Sequence, residues 1–252
     1  MSDSVLEFRG VSFGYRRTTV LEGFDLTVGG GLTFLVGENG AGKTTTFRLA
    51  LGALRPRRGS IVRHGSGAPA GRLRQKSDLI GYLPQSFTAP PHMSLHRYLE
   101  YIGWLRLMSK HDLVSAVPRA LARVGLGDRA ADRVATLSGG MFRRLGVAQA
   151  ILHEPSLVLL DEPTVGLDPQ GRVDLRRLMR DLAEDTAVLC STHLLEDAGA
   201  TNGTLVALKD GRVVFQGHAT EFQTLAATGK PGSTDEGLTP LEAAFLQLMG
   251  KS

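Results

Sequence analysis

Gly37-Glu38-Asn39-Gly40-Ala41-Gly42-Lys43-Thr44-Thr45 follows the apolar run Leu32-Thr33-Phe34-Leu35-Val36 and leads into Thr46-Phe47-Arg48-Leu49-Ala50-Leu51. The order is that of a buried strand, a glycine-rich turn and a helix, with Gly, four residues and Gly-Lys-Thr at fixed positions. Glycine bends the backbone through positive φ and lets it approach oxygen atoms, so successive N–H groups can converge on a phosphate chain. A helix starting near Lys43 adds its positive end. Lys43 brings a point charge to the terminal phosphates, and the Thr44 hydroxyl is positioned to ligate a bridging Mg²⁺. A nucleoside triphosphate is therefore the expected ligand. The competing reading, a glycine-rich turn with an exposed lysine, does not explain the flanking strand and helix.

Further along, Leu157-Val158-Leu159-Leu160 is continuously apolar and ends in Asp161-Glu162-Pro163. This is the pattern of a strand buried on both faces with two acids at its C-terminal tip, where open parallel sheets bind ligands. Asp161 falls where a carboxylate reaches Mg²⁺ through water, and Glu162 where one orients or deprotonates an attacking water. Alone, the pair reads as two solvated acids opening a loop; beside the phosphate loop the catalytic reading prevails. Ser138-Gly139-Gly140 precedes a segment in which Leu145, Ala148, Ile151 and Leu152 recur at helical spacing. Ser138 is expected as the N-cap, with the two glycines exposing the first N–H groups as a second anion-binding helix end. From spacing alone, an ordinary cap with glycines for close packing is the simpler reading.

These segments together resemble the ATP-binding cassette (ABC) ATPases over nearly the whole chain. Residues 37–45 look like the Walker A loop, Leu137-Ser138-Gly139-Gly140-Met141 like the signature, and residues 157–163 like Walker B. Gly166-Leu167-Asp168 is similar to the D-loop, Ser191-Thr192-His193 to the switch histidine, and Gln85 in Tyr82-Leu83-Pro84-Gln85 to the Q-loop glutamine. The resemblance implies a P-loop NTPase fold of ABC type: a parallel-sheet α/β core, a small antiparallel β subdomain and an inserted helical subdomain. It implies ATP and Mg²⁺ as ligands. ATP would be bound by Tyr15 stacked on adenine, by Gly37, Glu38, Asn39, Gly40, Ala41, Gly42, Lys43, Thr44 and Thr45, and by Ser138, Gly139 and Gly140 of a second copy. Mg²⁺ would be held by Thr44, Gln85 and Asp161; catalysis would rest on Glu162, His193, Lys43 and Gln85. For Tyr15 in Phe13-Gly14-Tyr15 the competing, lesser reading is an aromatic on a half-buried strand. Asp168 would couple the two copies rather than touch ATP. Met141 stands where the family usually carries glutamine and is given no binding role. Phe142-Arg143-Arg144 spells like cassettes of bacterial drug, antibiotic and bacteriocin exporters, while the arginines themselves read as a solvated helix face.

The chain has 252 residues, 42% hydrophobic and 21% charged, enough to bury a core in one domain or two lobes. The start lacks a basic region followed by an apolar core, and no apolar stretch approaches the ~20 residues that span a bilayer. The single Cys190, in an apolar strand, is expected to be buried and inert in a reducing cytosol. The net charge of +4 suits phosphate ligands and an anionic membrane surface. Nucleic acid is not an expected partner, because Arg55-Pro56-Arg57-Arg58 and Arg72-Leu73-Arg74-Gln75-Lys76 lack interleaved stacking aromatics.

Strands are expected at residues 5–8, 20–28 and 61–63, forming the small antiparallel sheet, and at 204–208 and 212–215 around Lys209-Asp210-Gly211. Two helical patterns, one through Leu95, Tyr98, Leu99, Ile102 and Leu105 and one through Leu113, Val117, Leu121 and Val124, mark the helical lobe. A further helix is expected over 170–183. One cassette domain over 1–228 is expected, with a nucleotide core at 1–85 and 150–228 and the helical subdomain at 86–149. A linker at 229–240 then leads to an amphipathic helix at 241–249, docked on this chain or on a partner. Phe87, Met93, Tyr98 and Trp104 are open to two readings, a docking face for a membrane subunit or the lobe's own core.

Each motif occurs once and there is no internal repeat, so a second cassette is expected, as a homodimer. The expected function is the ATP-binding and ATP-hydrolysing subunit of an exporter, cytoplasmic and peripheral on the inner face of the membrane, with the channel in a separate permease chain. The alternative is a non-transport cassette ATPase acting on a soluble macromolecular partner. Against it, the chain has neither two cassettes nor a long coiled-coil insertion between Lys43 and Asp161.

Overall fold

A computed structural model describes residues 4–64, 80–201, 203–228, 239–248 and 250. In chain order the elements are β1 (Leu6–Tyr15), β2 (Thr18–Val28), β3 (Leu32–Gly37), α1 (Lys43–Ala50), β4 (Arg58–Arg63), β5 (Ile80–Leu83), α2 (Leu95–Leu105), α3 (Lys110–Arg123), α4 (Gly139–Ile151), β6 (Leu157–Asp161), α5 (Pro169–Ala183), β7 (Ala187–Thr192), α6 (Leu195–Gly199), β8 (Thr204–Lys209), β9 (Arg212–His218), α7 (Ala219–Thr228) and α8 (Pro240–Leu248). The chain divides into two compact units, one formed by Met1–His64 with Leu189–Ser252 and the other by Gly65–Val188. These borders differ from the expected helical insertion at 86–149.

In the first unit β1 pairs antiparallel with β2 and β4, in the order β2-β1-β4, as the small antiparallel sheet was expected to. Alternation drives it: Leu6, Phe8, Val11 and Phe13 of β1 are buried while Glu7, Arg9, Gly10 and Ser12 between them are less so, and Phe8 meets Phe24 edge-on at 5.3 Å. Here β1 runs on to Tyr15, beyond the expected 5–8, with register shifts between Phe8 and Phe13 that accommodate Gly10 at φ 57°. The second sheet of this unit has the order β7-β3-β8-β9, with β3 and β8 parallel and β8 and β9 antiparallel. All six residues of β3 are buried, as an apolar run covered on both faces requires. The turn between β8 and β9 has Asp210 at φ 47° and Gly211 at φ 73°, the two left-handed positions of a type I′ hairpin. At the chain's end, α8 buries Leu241 and Ala244 beside α6 and α7 of the same unit. The docking surface of this helix is thus the chain's own. The expected linker at 229–240 lies, up to residue 238, outside the described residues, as does the basic group at 72–76.

In the second unit β5 and β6 pair in parallel, Ile80 opposite Leu157 and Leu83 opposite Leu160. Helix α4 lies so close to β5 that a Cβ at Gly81 would collide with the carbonyl oxygen of Ala150. Ser94 and Ser109 cap α2 and α3 by accepting from the N–H groups of Arg97 and Asp112. Their buried faces carry Leu95, Tyr98 and Leu99, and Leu113, Val117 and Leu121, the two stripes expected. The Tyr98 hydroxyl donates to Oε1 of Gln149, and Phe87 stacks on Phe142 at 4.3 Å. Phe87 and Tyr98 therefore belong to this unit's own core, whereas Trp104 is 66% exposed. Among the described residues no helix is long and apolar enough to cross a membrane.

Candidate functional site

The phosphate loop of the first unit grows out of β3. Gly40 and Gly42 lie at φ 88° and 111°, and a Cβ on Gly42 would stand 2.8 Å from Cδ2 of Leu21, so the path is open to glycine alone there. Ala41 N–H closes the turn onto the Glu38 carbonyl at 3.2 Å, and α1 starts at Lys43. Lys43 is buried, and its Nζ donates to the carbonyls of Gly37 at 2.6 Å and Glu38 at 3.3 Å, which holds the ammonium over the loop. Thr44 is exposed in the first turn of α1, and Thr46 is turned inward onto the Gly42 carbonyl. A curved run of backbone ahead of a helix N-terminus, one ammonium and one outward hydroxyl suit an anionic chain with a hard cation. Tyr15, at the end of β1, is 42% exposed, edge-on to Phe13, and its hydroxyl accepts from Arg48 of α1. His193 is exposed just after β7, the neighbour of β3, in a turn that Thr192 fixes by accepting from Leu194 N–H.

The second unit carries its groups at the C-terminal ends of β5 and β6, two paired parallel strands. Asp161 ends β6 and is buried, as is Glu162, whose backbone turns left-handed at φ 48°. For a residue with a side chain this conformation is strained, and it turns the chain sharply away from the strand. Exposed Gln85 follows β5. Arg143 of α4 reaches both ends. Its Nη1 donates to the Pro84 carbonyl at 3.3 Å, and its Nη2 to those of Gln85 at 2.7 Å and Glu162 at 3.3 Å. Burial pulls the Arg143 guanidinium down from its usual range and the nearby Asp161 charge pushes it back up. The expected solvated face at Arg143 and Arg144 is thus corrected. Both are half-buried, and Arg144 Nη1 donates to the Val124 carbonyl at the end of α3.

Ser138 caps α4 by accepting from Met141 N–H at 3.3 Å, and Asp168 caps α5 by accepting from Gly171 N–H at 3.1 Å. The two helix starts converge, and Gly140 stands 3.8 Å from the Cα of Gly171 at the position its Cβ would take. Between them opens a cavity of about 410 Å³, lined by Ser138, Gly139, Gly140, Met141 and Arg144 from one helix and Gly166, Leu167, Asp168, Gln170, Gly171 and Asp174 from the other side. The two helix N-termini and the Arg144 guanidinium facing this space favour an anion, and the carboxylates of Asp168 and Asp174 in the same lining oppose one. The Sδ of Met141 accepts from Arg129 Nη1 at 3.0 Å, so this side chain turns to the protein's own arginine.

Lys43, Thr44, Tyr15 and His193 are thus carried by one unit, and Gln85, Asp161, Glu162 and the capped helix starts by the other. The sequence reading missed Arg143. The only signal was two arginines inside a helix whose next residues, Leu145 to Ala148, are buried, and periodicity does not reveal which carbonyls lie within reach.

A family model described as ABC transporter matches residues 21–165, more than half of the chain. The chain is 40% identical over 191 residues to the uncharacterized ABC transporter ATP-binding protein YxlF of Bacillus subtilis (strain 168), covering 75% of this chain and 62% of that protein. It is 38% identical over 216 residues to the Nod factor export ATP-binding protein I of Cupriavidus pinatubonensis, covering 85% of this chain and 66% of that protein. It therefore spans less than two thirds of the length of these two relatives. Among solved structures, one described as the ATP binding subunit of an ABC transporter superposes with a TM-score of 0.75 at 28% identity, over 97% of this chain and 99% of that one.

Proposed function

The chain belongs to the ABC transporter family, and on that premise we propose that it is an ATP-binding and ATP-hydrolysing subunit that powers export through a separate membrane protein. The observation that carries this reading is the glycine-bent loop from β3 to α1 with Lys43 hydrogen-bonded over it. The loop amides and Lys43 grip the triphosphate, and Tyr15 stacks on the adenine. Thr44, Gln85 and Asp161 would hold Mg²⁺, which would supply positive charge against the triphosphate. Glu162 orients the attacking water and accepts its proton, and His193 hydrogen-bonds the terminal phosphate. Export, rather than another direction of transport, is supported by the name of the Nod factor export relative.

Ser138, Gly139 and Gly140 cover the ATP of a second copy, and the cavity between the starts of α4 and α5 supports that role through its converging N–H groups and Arg144. Asp168, committed to its cap, sets the shape of that surface rather than binding nucleotide. A nucleotide core with a helical subdomain at 86–149 would work as a homodimer, held at the cytoplasmic face of the membrane by the permease. ATP binding draws two copies together and hydrolysis releases them, so that differential affinity for the closed state does the mechanical work. The test is to purify the chain, measure Mg²⁺-dependent ATP hydrolysis, and repeat it with Glu162→Gln; activity that the substitution leaves unchanged refutes the assignment. Tagging the chain and identifying what co-purifies from detergent-solubilised native membranes tests the partner. A multi-span membrane protein at stoichiometric amounts supports transport, and recovery with ribosomes or alone contradicts it.

A further inference from the structure

We infer that Arg143 is a positioning residue, whose single guanidinium ties the backbone of Gln85 to the backbone of Glu162 so that the loop after β5 and the acid at the tip of β6 move as one piece. The inference rests on the reading that Gln85 and Glu162 serve ATP hydrolysis. Its physical basis is the geometry of the fork. Nη2 donates to the carbonyls of Gln85 at 2.7 Å and Glu162 at 3.3 Å, while Nη1 donates to that of Pro84 at 3.3 Å. Three acceptors from two separate strand ends are served by one rigid plane, which the single nitrogen of lysine cannot reproduce.

Two further features make α4 a grip on this loop rather than a passing contact. Phe142 stacks on Phe87 with the rings 4.3 Å apart and 2° from parallel, and Gly146, one turn on, leaves the space that Phe87 fills; a Cβ there would stand 2.5 Å from its ring. The Glu162 end is strained. A non-glycine residue at φ 48° has a costly backbone, and the carbonyl that Arg143 holds belongs to that same residue. Releasing the carbonyl frees Glu162 to relax, which turns its carboxylate away from where the proposed chemistry needs it. The segment that starts α4 is also the one that offers Ser138 to a second copy. Arg143 thus links, through one helix, the capped surface, the Gln85 loop and the Glu162 turn.

The experiment uses the full chain with Arg143→Met, Arg143→Lys and Arg143→Gln. Nucleotide affinity, steady-state ATP hydrolysis, thermal midpoint and amide hydrogen exchange are measured for each. The expected result is kcat lowered about tenfold to a hundredfold in both Arg143→Met and Arg143→Lys, with nucleotide Kd and KM within about threefold of wild type. Amide exchange is expected to rise at residues 84–87 and 162–165 and to stay unchanged in β3 and α1. Full activity in Arg143→Lys, or loss of activity matched by loosened exchange throughout the chain, overturns the inference. If Arg143→Met does not fold, Arg143→Gln, which keeps one donor group, decides by the same two readouts. A wild-type chain that hydrolyses no ATP refutes the functional reading instead. The exchange pattern then still decides whether Arg143 ties the two segments.

Discussion

Nη1 of Arg106 donates a hydrogen bond to Nε2 of His153 across 3.2 Å, which makes the imidazole an acceptor there and puts its proton on Nδ1. Nδ1 is buried and has no partner of good hydrogen-bond geometry among the described residues. Burial, and then the Arg106 charge, push His153 down from 6.5 to about 3, and the backbone of Ile80 opposes only part of that. The folded chain therefore keeps a neutral histidine at pH values where the unfolded chain has already taken up a proton.

Because the folded value is depressed, stability is fully present above the unfolded value of 6.5 and is lost as pH falls toward the folded one. The loss amounts to about 1.4 kcal/mol per pH unit in that window. Denaturant unfolding of wild type and His153→Gln from pH 7 to pH 4 is expected to show a steeper fall in the wild type. Parallel curves contradict the neutral, buried state.

Glu162→Gln keeps the size of the side chain, exchanges one acceptor oxygen for an NH₂ donor and removes its basicity. Hydrolysis is expected to fall by about a hundredfold or more while ATP binding persists. The variant should dimerise in saturating ATP and Mg²⁺, read by size exclusion with light scattering. Persistent monomers count against a homodimer and leave a different partner cassette as the test to run.

Lys43→Met removes an ammonium that binds the Gly37 and Glu38 carbonyls. A nucleotide Kd raised about tenfold or more, equivalent to roughly 1.4 kcal/mol or more, is expected by calorimetry. Unchanged affinity would show that the loop's backbone alone binds the phosphates.

Two glycines make contrasting stability predictions, one a loss and one near-neutral. Gly81→Ala forces a methyl group onto the Ala150 carbonyl, so a loss of about 1–3 kcal/mol is expected. At Gly139, in the first turn of α4, nothing lies within 4 Å of the new methyl group, and Gly139→Ala should stay within about 0.5 kcal/mol. Chemical denaturation of the pair measures both.

Residues 37–45 were legible because their chemistry is local. Glycine at fixed offsets, lysine at a helix start and an apolar run before them are properties of consecutive residues, and β3 and α1 follow directly. The same holds for Ser138 at the head of α4 and for the buried strand ending in Asp161. Even β1, expected at 5–8, ran on to Tyr15 only because bulges between Phe8 and Phe13 let it keep pairing with β2, and no single-strand pattern encodes a partner's register.

What the sequence by itself determined is the set of local devices: the phosphate loop, the capped helix starts, the acids at a strand end and the family to which these belong. Only the tertiary structure decided what the side chains between them do. Arg143 and Gln85 are far apart in the chain, and whether a guanidinium faces water or three carbonyls depends on which strand ends pass beneath its helix. The same reason separates Tyr98, buried and bonded to Gln149, from Trp104, exposed six residues later on the same helix. Helical spacing gives a residue's angle around its own axis, and burial is settled by what packs against that side.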